Sequence, residues 1–322
     1  MKVNNIGIDL NRHGGFSQLR QLEQALEDYC ALGFRMLEIN PSEFGLIVNG
    51  NWRGPQLEDF QAVLRNFDLR YSVHAPDRLN LAYDPRADLC QRVLLSQVEI
   101  CRAIRASRLV VHSSLDALSA IQRRVRPKLL TDDELTAGAR REVATLRAVA
   151  PVAAEAGVVI GIENGAPNPD EFNLLDQFGR SESDVAKHHA RLLVGPIVEQ
   201  LEAVSHPNVA MTLDVAHLHL AASALDFDCL KAVAEAAPWV KHLHVNDNFG
   251  NLDQGYDDIP NRMTFGEGDI HLPPGWGSIP YRDVFARLPA YEGDLILELR
   301  PRFRDYFDEA RQTMQKILNG AS

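Results

Sequence analysis

Long apolar runs are missing from this chain. Nowhere in its 322 residues does an uninterrupted apolar stretch approach the roughly eighteen residues that a membrane span needs, and the opening MKVNNIGIDLN has no charged segment followed by a long apolar one. A cytoplasmic location with no membrane partner is therefore expected. Cysteine is scarce as well: Cys30, Cys90, Cys101 and Cys229 lie apart in segments of helical pattern, with no CxxC spacing to suggest zinc or redox chemistry. They are expected as buried thiols. Positive charge is in deficit, with 33 Lys and Arg against 44 Asp and Glu and a net charge of −11. Nucleic-acid binding draws most of its free energy from cations that neutralise phosphates, so duplex DNA is a poor default partner. A local basic cluster, Arg123, Arg124, Arg126 and Lys128, stands against that balance, but such runs are usually solvated surface. Short repeats and low-complexity tracts are also missing.

What is present is an ordinary globular composition, 45% hydrophobic and 24% charged, with enough apolar residues for a sizeable core. The length exceeds that of a single sandwich and suits one α/β barrel. Strand-like runs ending in polar residues recur along the chain: NIGIDL, MLEIN, RYSVHA, RLVVHSS, VVIGIENG, VAMTLDVAH, VKHLHVND and LILELRP. Between them lie stretches of helical period, such as Leu19, Leu22, Leu26, Tyr29 and Cys30, or Tyr306, Phe307, Ala310, Met314 and Ile317. Thr131 and Glu134 form a capping-box pattern before the longest helical stretch, which Pro151 is expected to kink. Eight strands alternating with helices predict a closed (β/α)8 TIM barrel, a single domain over residues 1–322, rather than a doubly wound sheet. Its strands should end near Asp9, Asn40, Ala75, Ser113, Asn164, Asp214, Asp247 and Arg300. Residues 248–280 form a long Gly/Pro/Asn/Asp-rich connection, of a length usually reserved for function.

In such barrels the active site gathers at the C-terminal ends of the strands. Read in order, those ends carry Glu38, His74, His112, Glu163, Asp214 with His217, His244, and Glu298. A single histidine there is ordinarily just hydrogen-bonded or solvated. Carboxylates inside apolar strands such as IGIEN, MTLDV and LILEL are different, because their desolvation must be compensated by a cation or a buried ion pair, for which Arg300 and Lys241 are the available partners. His242 is set aside: it is expected to point toward the helix layer if His244 points into the barrel mouth. His219 is a candidate for an outer role. His13, His188, His189 and His206 sit in helical or loop contexts without ligand spacing. In FGEGDIHLPPGWGSIP, residues 265–280, either Gly266, Glu267 and Gly268 or Asp269 and His271 could be the functional element.

From about residue 5 to 318 the chain resembles the xylose-isomerase-like barrel superfamily, which holds sugar isomerases and epimerases together with endonuclease-four-type abasic-site nucleases. The motifs that carry the resemblance are HAPDRLNLA with His74, VVHSS with His112, IEN with Glu163, DVAH with Asp214 and His217, HVND with His244, and Glu298 in LILEL. The resemblance implies a metal held by Glu163, Asp214, His244 and Glu298. It further implies that the nuclease branch adds ligands at His74, His112 and His217 and at a D-x-H motif before a glycine turn. Aligned on Gly275 and Gly277, that motif is Asp269 and His271; aligned on Gly266 and Gly268, it would fall on Pro260 and Arg262, which bind no cation. Trp276 departs from the nuclease pattern, which has an acidic residue in the middle of the turn. That departure and the acidic balance favour a small-molecule carbohydrate substrate over nucleic acid.

Two chemistries are then implied. In an isomerase or epimerase, a divalent ion polarises a ketose carbonyl toward an ene-diolate while Glu163 and Glu298 carry the proton and His217 orients a substrate oxygen. In a phosphodiesterase, the nine residues hold two or three ions that generate hydroxide. Imidazole-rich ligation favours Zn or Mn over Mg. Retention of His74, His112, His217, Asp269 and His271 beside the four-residue set predicts more than one ion per chain, and a homo-oligomer is compatible with the sequence.

Overall fold

The computed structural model describes residues 1–10, 19–122, 127–255 and 259–320. Eight strands form a closed barrel: β1 (Lys2–Asp9), β2 (Met36–Ile39), β3 (Arg70–His74), β4 (Arg108–His112), β5 (Val159–Glu163), β6 (Val209–Asp214), β7 (Val240–Val245) and β8 (Glu292–Leu297). Each pairs in parallel with its neighbours, and β1 closes the ring by pairing with both β2 and β8. The expected barrel is therefore present as a single domain. The strand ends fall at or slightly before the expected positions. The largest difference is at β8, which stops at Leu297 rather than near Arg300: Leu299 donates its N–H to the Asp9 carboxylate, and a 3-10 turn starts at Pro301, which has no N–H to give a ladder.

Alternation along the strands divides the core in two. Ile8, Leu37, Val73, Leu109, Ile160, Leu213, Leu243 and Leu295 join the helices in one large apolar cluster. The opposite face looks into the barrel, where Gly7 lies against Met36 and Ile296, and Gly161 against Thr212. One residue pair further along, the inward positions turn polar: Asp9 is level with Glu38, His112 with Glu163, and Asp214 with His244. The barrel thus has an apolar floor and a ring of titratable groups at its C-terminal mouth.

The helix layer follows the sequence pattern. Helix Leu19–Ala31 buries Leu22, Ala25, Leu26 and Tyr29, and helix Phe307–Leu318 buries Phe307, Ala310 and Met314. Tyr306 lies off that face and is exposed. Helix Asp132–Glu155 starts with the expected capping box, the Glu134 N–H donating to Thr131 Oγ1 at 3.3 Å and the Thr131 N–H to Glu134 Oε2 at 2.8 Å, and it continues through Pro151. The thiols of Cys90 and Cys101 are buried, as expected. Those of Cys30 and Cys229 are only half-buried: Cys30 lies at the edge of its helix's inner face, and Cys229 is the first residue of its helix. Of the basic cluster, Arg123, Arg124 and Arg126 lie outside the described residues, and Lys128 is an exposed side chain 3.6 Å from Glu134. No helix among the described residues is long and apolar enough to cross a membrane.

Glu142 ties this layer to the barrel mouth. It is fully buried and accepts the Ser114 N–H at 2.8 Å, holding the loop that follows β4. Burial pushes its carboxyl up to about 7 from an ordinary 4.5. Folding thus favours the protonated form, and this contribution is complete below the ordinary value and lost as pH rises through 7. Glu142→Gln keeps an oxygen acceptor and cannot ionise. Thermal unfolding should find the variant close to wild type at pH 5 and more stable at pH 8, by on the order of 2 kcal/mol. A variant less stable than wild type at pH 8 would contradict this account.

Candidate metal centre

Glu163, at the end of β5, is completely buried and has no guanidinium or ammonium partner among the described residues. Its Oε2 lies 3.4 Å from His74 Nε2 and 3.2 Å from His112 Nε2, and its Oε1 lies 2.9 Å from His244 Nδ1. Lys241, the partner a simple ion pair would have required, points outward and is exposed. The two histidines above Glu163 respond differently. Burial alone would lower His74, but the close approach and charge of Glu163, with the charges of Glu38 and Glu298 behind it, push it up to about 10. His112 is lowered by burial, which outweighs Glu163 because Arg191 and His74 add positive charge beside it.

His244 is enclosed by carboxylates. Its Nδ1 meets Glu163 Oε1 and, at 3.1 Å, Glu298 Oε1, while its Nε2 lies 2.9 Å from Glu38 Oε1. Burial would lower it, yet the charges of Glu298, Glu38 and Glu163 hold it well above the imidazole range. Glu38 is anchored in turn by the Ser72 hydroxyl at 2.8 Å and by His242 Nε2 at 3.0 Å. His242 therefore faces the barrel interior on the same side as His244, contrary to the sequence expectation. Residues two apart on a strand share a face.

Asp214 ends β6 and caps the helix that follows, accepting the His217 N–H at 2.7 Å. Its backbone is clamped by the Asn164 amide, which accepts the Asp214 N–H at 2.9 Å and donates to its carbonyl at 3.0 Å. Burial, followed by the charges of Glu298 and Glu163, pushes Asp214 up to about 7 against the pull of His217. The His217 ring bridges to the long connection after β7, with Nδ1 3.5 Å from Asp214 Oδ2 and Nε2 3.5 Å from Asp269 Oδ2. Asp269 also meets His271 Nε2 at 2.8 Å, and His271 Nδ1 lies 2.7 Å from the Glu298 carbonyl. His271 has φ +49°, a left-handed conformation that costs a non-glycine residue about 1 kcal/mol and that aims its ring at Asp269.

The two candidate elements of FGEGDIHLPPGWG take different places in the structure. Asp269 and His271 line the cavity at the mouth, whereas Glu267 pairs by its backbone with Asn251 away from it. Trp276 turns toward the C-terminal helix, donating to Glu309 at 3.1 Å and packing edge-on against Phe303 and Tyr306. The cavity has a volume of about 370 Å³ and is lined by Glu38, His74, His112, Glu163, His217, Asp269, His271 and Glu298, with Asp9 and Arg300 at its edge.

The donor atoms fall into groups that suit divalent ions: His74, His112 and Glu163; Glu163, Asp214, His244 and Glu298; and His217, Asp269 and His271. In each group the ligand atoms lie within 4.8 Å of one another. Among the described residues, buried oxygens Glu163 Oε2, Asp214 Oδ2 and Asp269 Oδ1 have no hydrogen-bond donor, and Arg300 pairs only with Asp269, at 3.9 Å. Nitrogen and carboxylate donors left short of positive charge fit zinc or manganese. The structure thus brings together all nine residues singled out in the sequence. It adds Glu38, whose strand-end position was noted but not selected, and His242, whose inward direction follows from its spacing to His244.

The sequence matches the family model described as xylose isomerase-like TIM barrel over residues 26–317. No curated protein matches it. Among solved structures, it is similar to a D-tagatose 3-epimerase-like protein, at 16% identity and a TM-score of 0.68 over 98% of this chain and 97% of that one. It is also similar to the 3-keto-D-glucoside 4-epimerase of E. coli, at 13% identity and a TM-score of 0.63, covering 98% and 99% of the two chains. A third is the IOLI protein with a binding zinc atom, at 14% identity and a TM-score of 0.61, covering 98% and 97%. At such identities these likenesses establish a shared fold.

The loop carrying Asp269 and His271 hangs on Asp247, which accepts the N–H groups of Asn248 and Ile279 on Oδ1, at 3.0 and 3.2 Å, and that of Gly275 on Oδ2, at 2.8 Å. A Cβ on Gly277 would collide with Asp247 Oδ1 and the Asn248 carbonyl, neither of which can retreat. Gly277→Ala should cost about 1–3 kcal/mol in global stability and loosen the loop. Amide exchange is the measurement, with protection at Gly275 and Ile279 lost first; unchanged protection would contradict the assigned role of the turn.

Proposed function

The chain belongs to the xylose isomerase-like TIM barrel family, and on that premise we propose that it is a divalent-metal-dependent isomerase or epimerase of a small carbohydrate. The observation that carries this reading is the placement of Glu163 and Glu298. Both reach His244 Nδ1, at 2.9 and 3.1 Å, with Glu298 open to a cavity large enough for a sugar. Two carboxylates lining one small cavity suit removal of a proton from a carbon and the return of one to it. The similarity to structures titled as sugar epimerases supports the same class.

In this reading Glu163, Asp214, His244 and Glu298 hold the principal ion, with His74, His112, His217, Asp269 and His271 holding further zinc or manganese. Bound there, a divalent ion supplies Lewis-acid polarisation of a ketose carbonyl and its neighbouring hydroxyl. The residues do the rest. Burial raises Glu298, yet the charge and hydrogen bond of His244 bring it down to about 2, so it begins as a proton acceptor. It takes the proton from the carbon beside the carbonyl and the charge passes to the ene-diolate oxygens. A proton taken up from solvent at Glu163 is returned to the carbon skeleton and Glu298 releases its own to solvent, so both carboxylates end the cycle as they began it. His217, fixed between Asp214 and Asp269, orients a substrate oxygen. Glu38 Oε1, 2.9 Å from the second nitrogen of His244, places a carboxylate charge beside its ring.

A second reading, a multinuclear phosphodiesterase, is favoured by one specific observation: Glu163 belongs both to the His74–His112 group and to the Asp214–His244–Glu298 group, as a carboxylate bridging two ions would. Metal content tests the second reading, which needs at least two ions, whereas the isomerase reading needs only the principal one. Elemental analysis of protein purified without chelator and saturated with zinc or manganese should find at least two ions per chain. A single ion would remove the phosphodiesterase reading and leave the isomerase one. Glu298→Gln should lower turnover of ketoses about 10²–10⁴-fold with the fold intact by circular dichroism, whereas Glu267→Gln should stay within about tenfold of wild type. Equal loss in both variants would place the proton carrier elsewhere.

A further inference from the structure

Beside the metal cavity lies a second one of about 490 Å³. Asp77 and His112 line both, so the two spaces adjoin at these side chains. The charged groups around it cancel: Asp77, Asp84 and Asp116 stand against Arg78, Arg86 and Arg191. Two of the pairs are made within the wall. Arg86 grips Asp84 through Nε at 3.0 Å and Nη2 at 2.8 Å, and Arg191 Nη2 donates to Asp116 Oδ2 at 3.1 Å.

The Asp116–Arg191 edge is held from behind by buried groups. Arg191 Nε donates to His189 Nε2 at 2.8 Å, which puts the imidazole proton on Nδ1, 2.6 Å from Glu171 Oε1. The Arg191 backbone is pinned on both sides, its N–H to the Leu115 carbonyl and its carbonyl to the Gly165 N–H. Gly165 makes this approach feasible, since a Cβ there would lie 2.7 Å from Arg191 Nε and 2.9 Å from His189 Nε2. Asp116, Glu171 and His189 have ligand atoms close enough to hold an ion, but the guanidinium against His189 already supplies the positive charge there. The assembly is thus a rigid mount for Arg191.

An anion entering this cavity meets as many carboxylates as guanidiniums, and an apolar group would strand charged edges without water. A hydroxylated ring satisfies both kinds of edge, since each hydroxyl donates to a carboxylate and accepts from a guanidinium. Leu79, Pro85 and the Tyr83 ring supply an apolar side for its C–H face. We propose that this cavity is a second substrate subsite for a neutral sugar unit, so that the substrate is a glycoside or disaccharide rather than a free monosaccharide. The proposal rests on the carbohydrate reading of the metal centre.

The test is calorimetric titration of metal-saturated protein with D-fructose, with the neutral glucosyl-fructoses turanose, leucrose and isomaltulose, and with fructose 6-phosphate. At least one glucosyl-fructose should bind tenfold or more tightly than fructose. Ser119→Trp, which fills the cavity from its exposed rim, should cut the ratio of disaccharide to fructose affinity at least tenfold; because both sugars are measured on the same variant, the ratio is insensitive to a general loss of stability. Equal affinity for fructose and all three disaccharides overturns the subsite. Tightest binding of the phosphate, abolished in Arg191→Gln, overturns it in favour of an anion site. Absence of all sugar binding together with cleavage of an abasic oligonucleotide overturns the carbohydrate reading itself, a result distinct from the other two.

Discussion

Carboxylates brought into a water-poor space at the end of the barrel are the constraint on which the rest of this structure depends. Glu38, Glu163, Asp214 and Glu298 all lie within reach of His244, and Asp269 stands close by between His217 and His271. Ionised groups so buried cost several kcal/mol each unless opposite charge meets them. Imidazoles are what the chain provides, and they answer unequally: His244 and His217 are drawn well above the ordinary range while His112 is lowered. A site whose acids outnumber its cations, with buried oxygens that lack donors, is built to take up positive charge from outside.

The scaffold makes that cluster affordable by separating functions along each strand. Outward residues bind the helices through one continuous apolar cluster. Inward residues change from Met36, Gly161 and Ile296 at the floor to Glu38, Glu163 and Glu298 two positions later. Two residues along a strand are roughly 7 Å, enough to pass from a packed apolar layer to the polar mouth. Loops then secure the groups that no strand carries. Asp247 gathers the turn after Asp269 and His271, and Glu142 reaches from its helix to hold the loop after His112.

The same economy appears beside the metal centre, where Glu171, His189, Asp116 and Arg191 form a chain of buried partners ending at an open edge. Here positive charge is built in, and the carboxylate nearest it is held ionised: burial would raise Asp116, but Arg191 beside it and the N–H of Ser119 bring it below the ordinary carboxylate value. One end of the mouth therefore lacks cations and the other has them in balance. Two neighbouring cavities of different chemistry follow from that contrast.

Much of this was legible in the sequence, for local reasons. Short apolar runs ending in polar residues marked eight strands, because a parallel strand buried on both faces must be apolar until it emerges. Their alternation with helices implied the barrel. The residue types at strand ends named the candidate ligands, while the choice of Asp269 and His271 over Glu267 came from the resemblance to barrels that carry a D-x-H motif before a glycine turn. Other features depended on partners far apart in the chain. Glu38 meets His242 across 204 positions, Arg191 meets Asp116 across 75, and Leu299 reaches Asp9 to end β8 early. Strand periodicity states which face a residue takes but not what faces it across a closed barrel. Which carboxylate meets which imidazole, and where a second cavity opens, is decided only when the ring closes and sets the register of all eight strands.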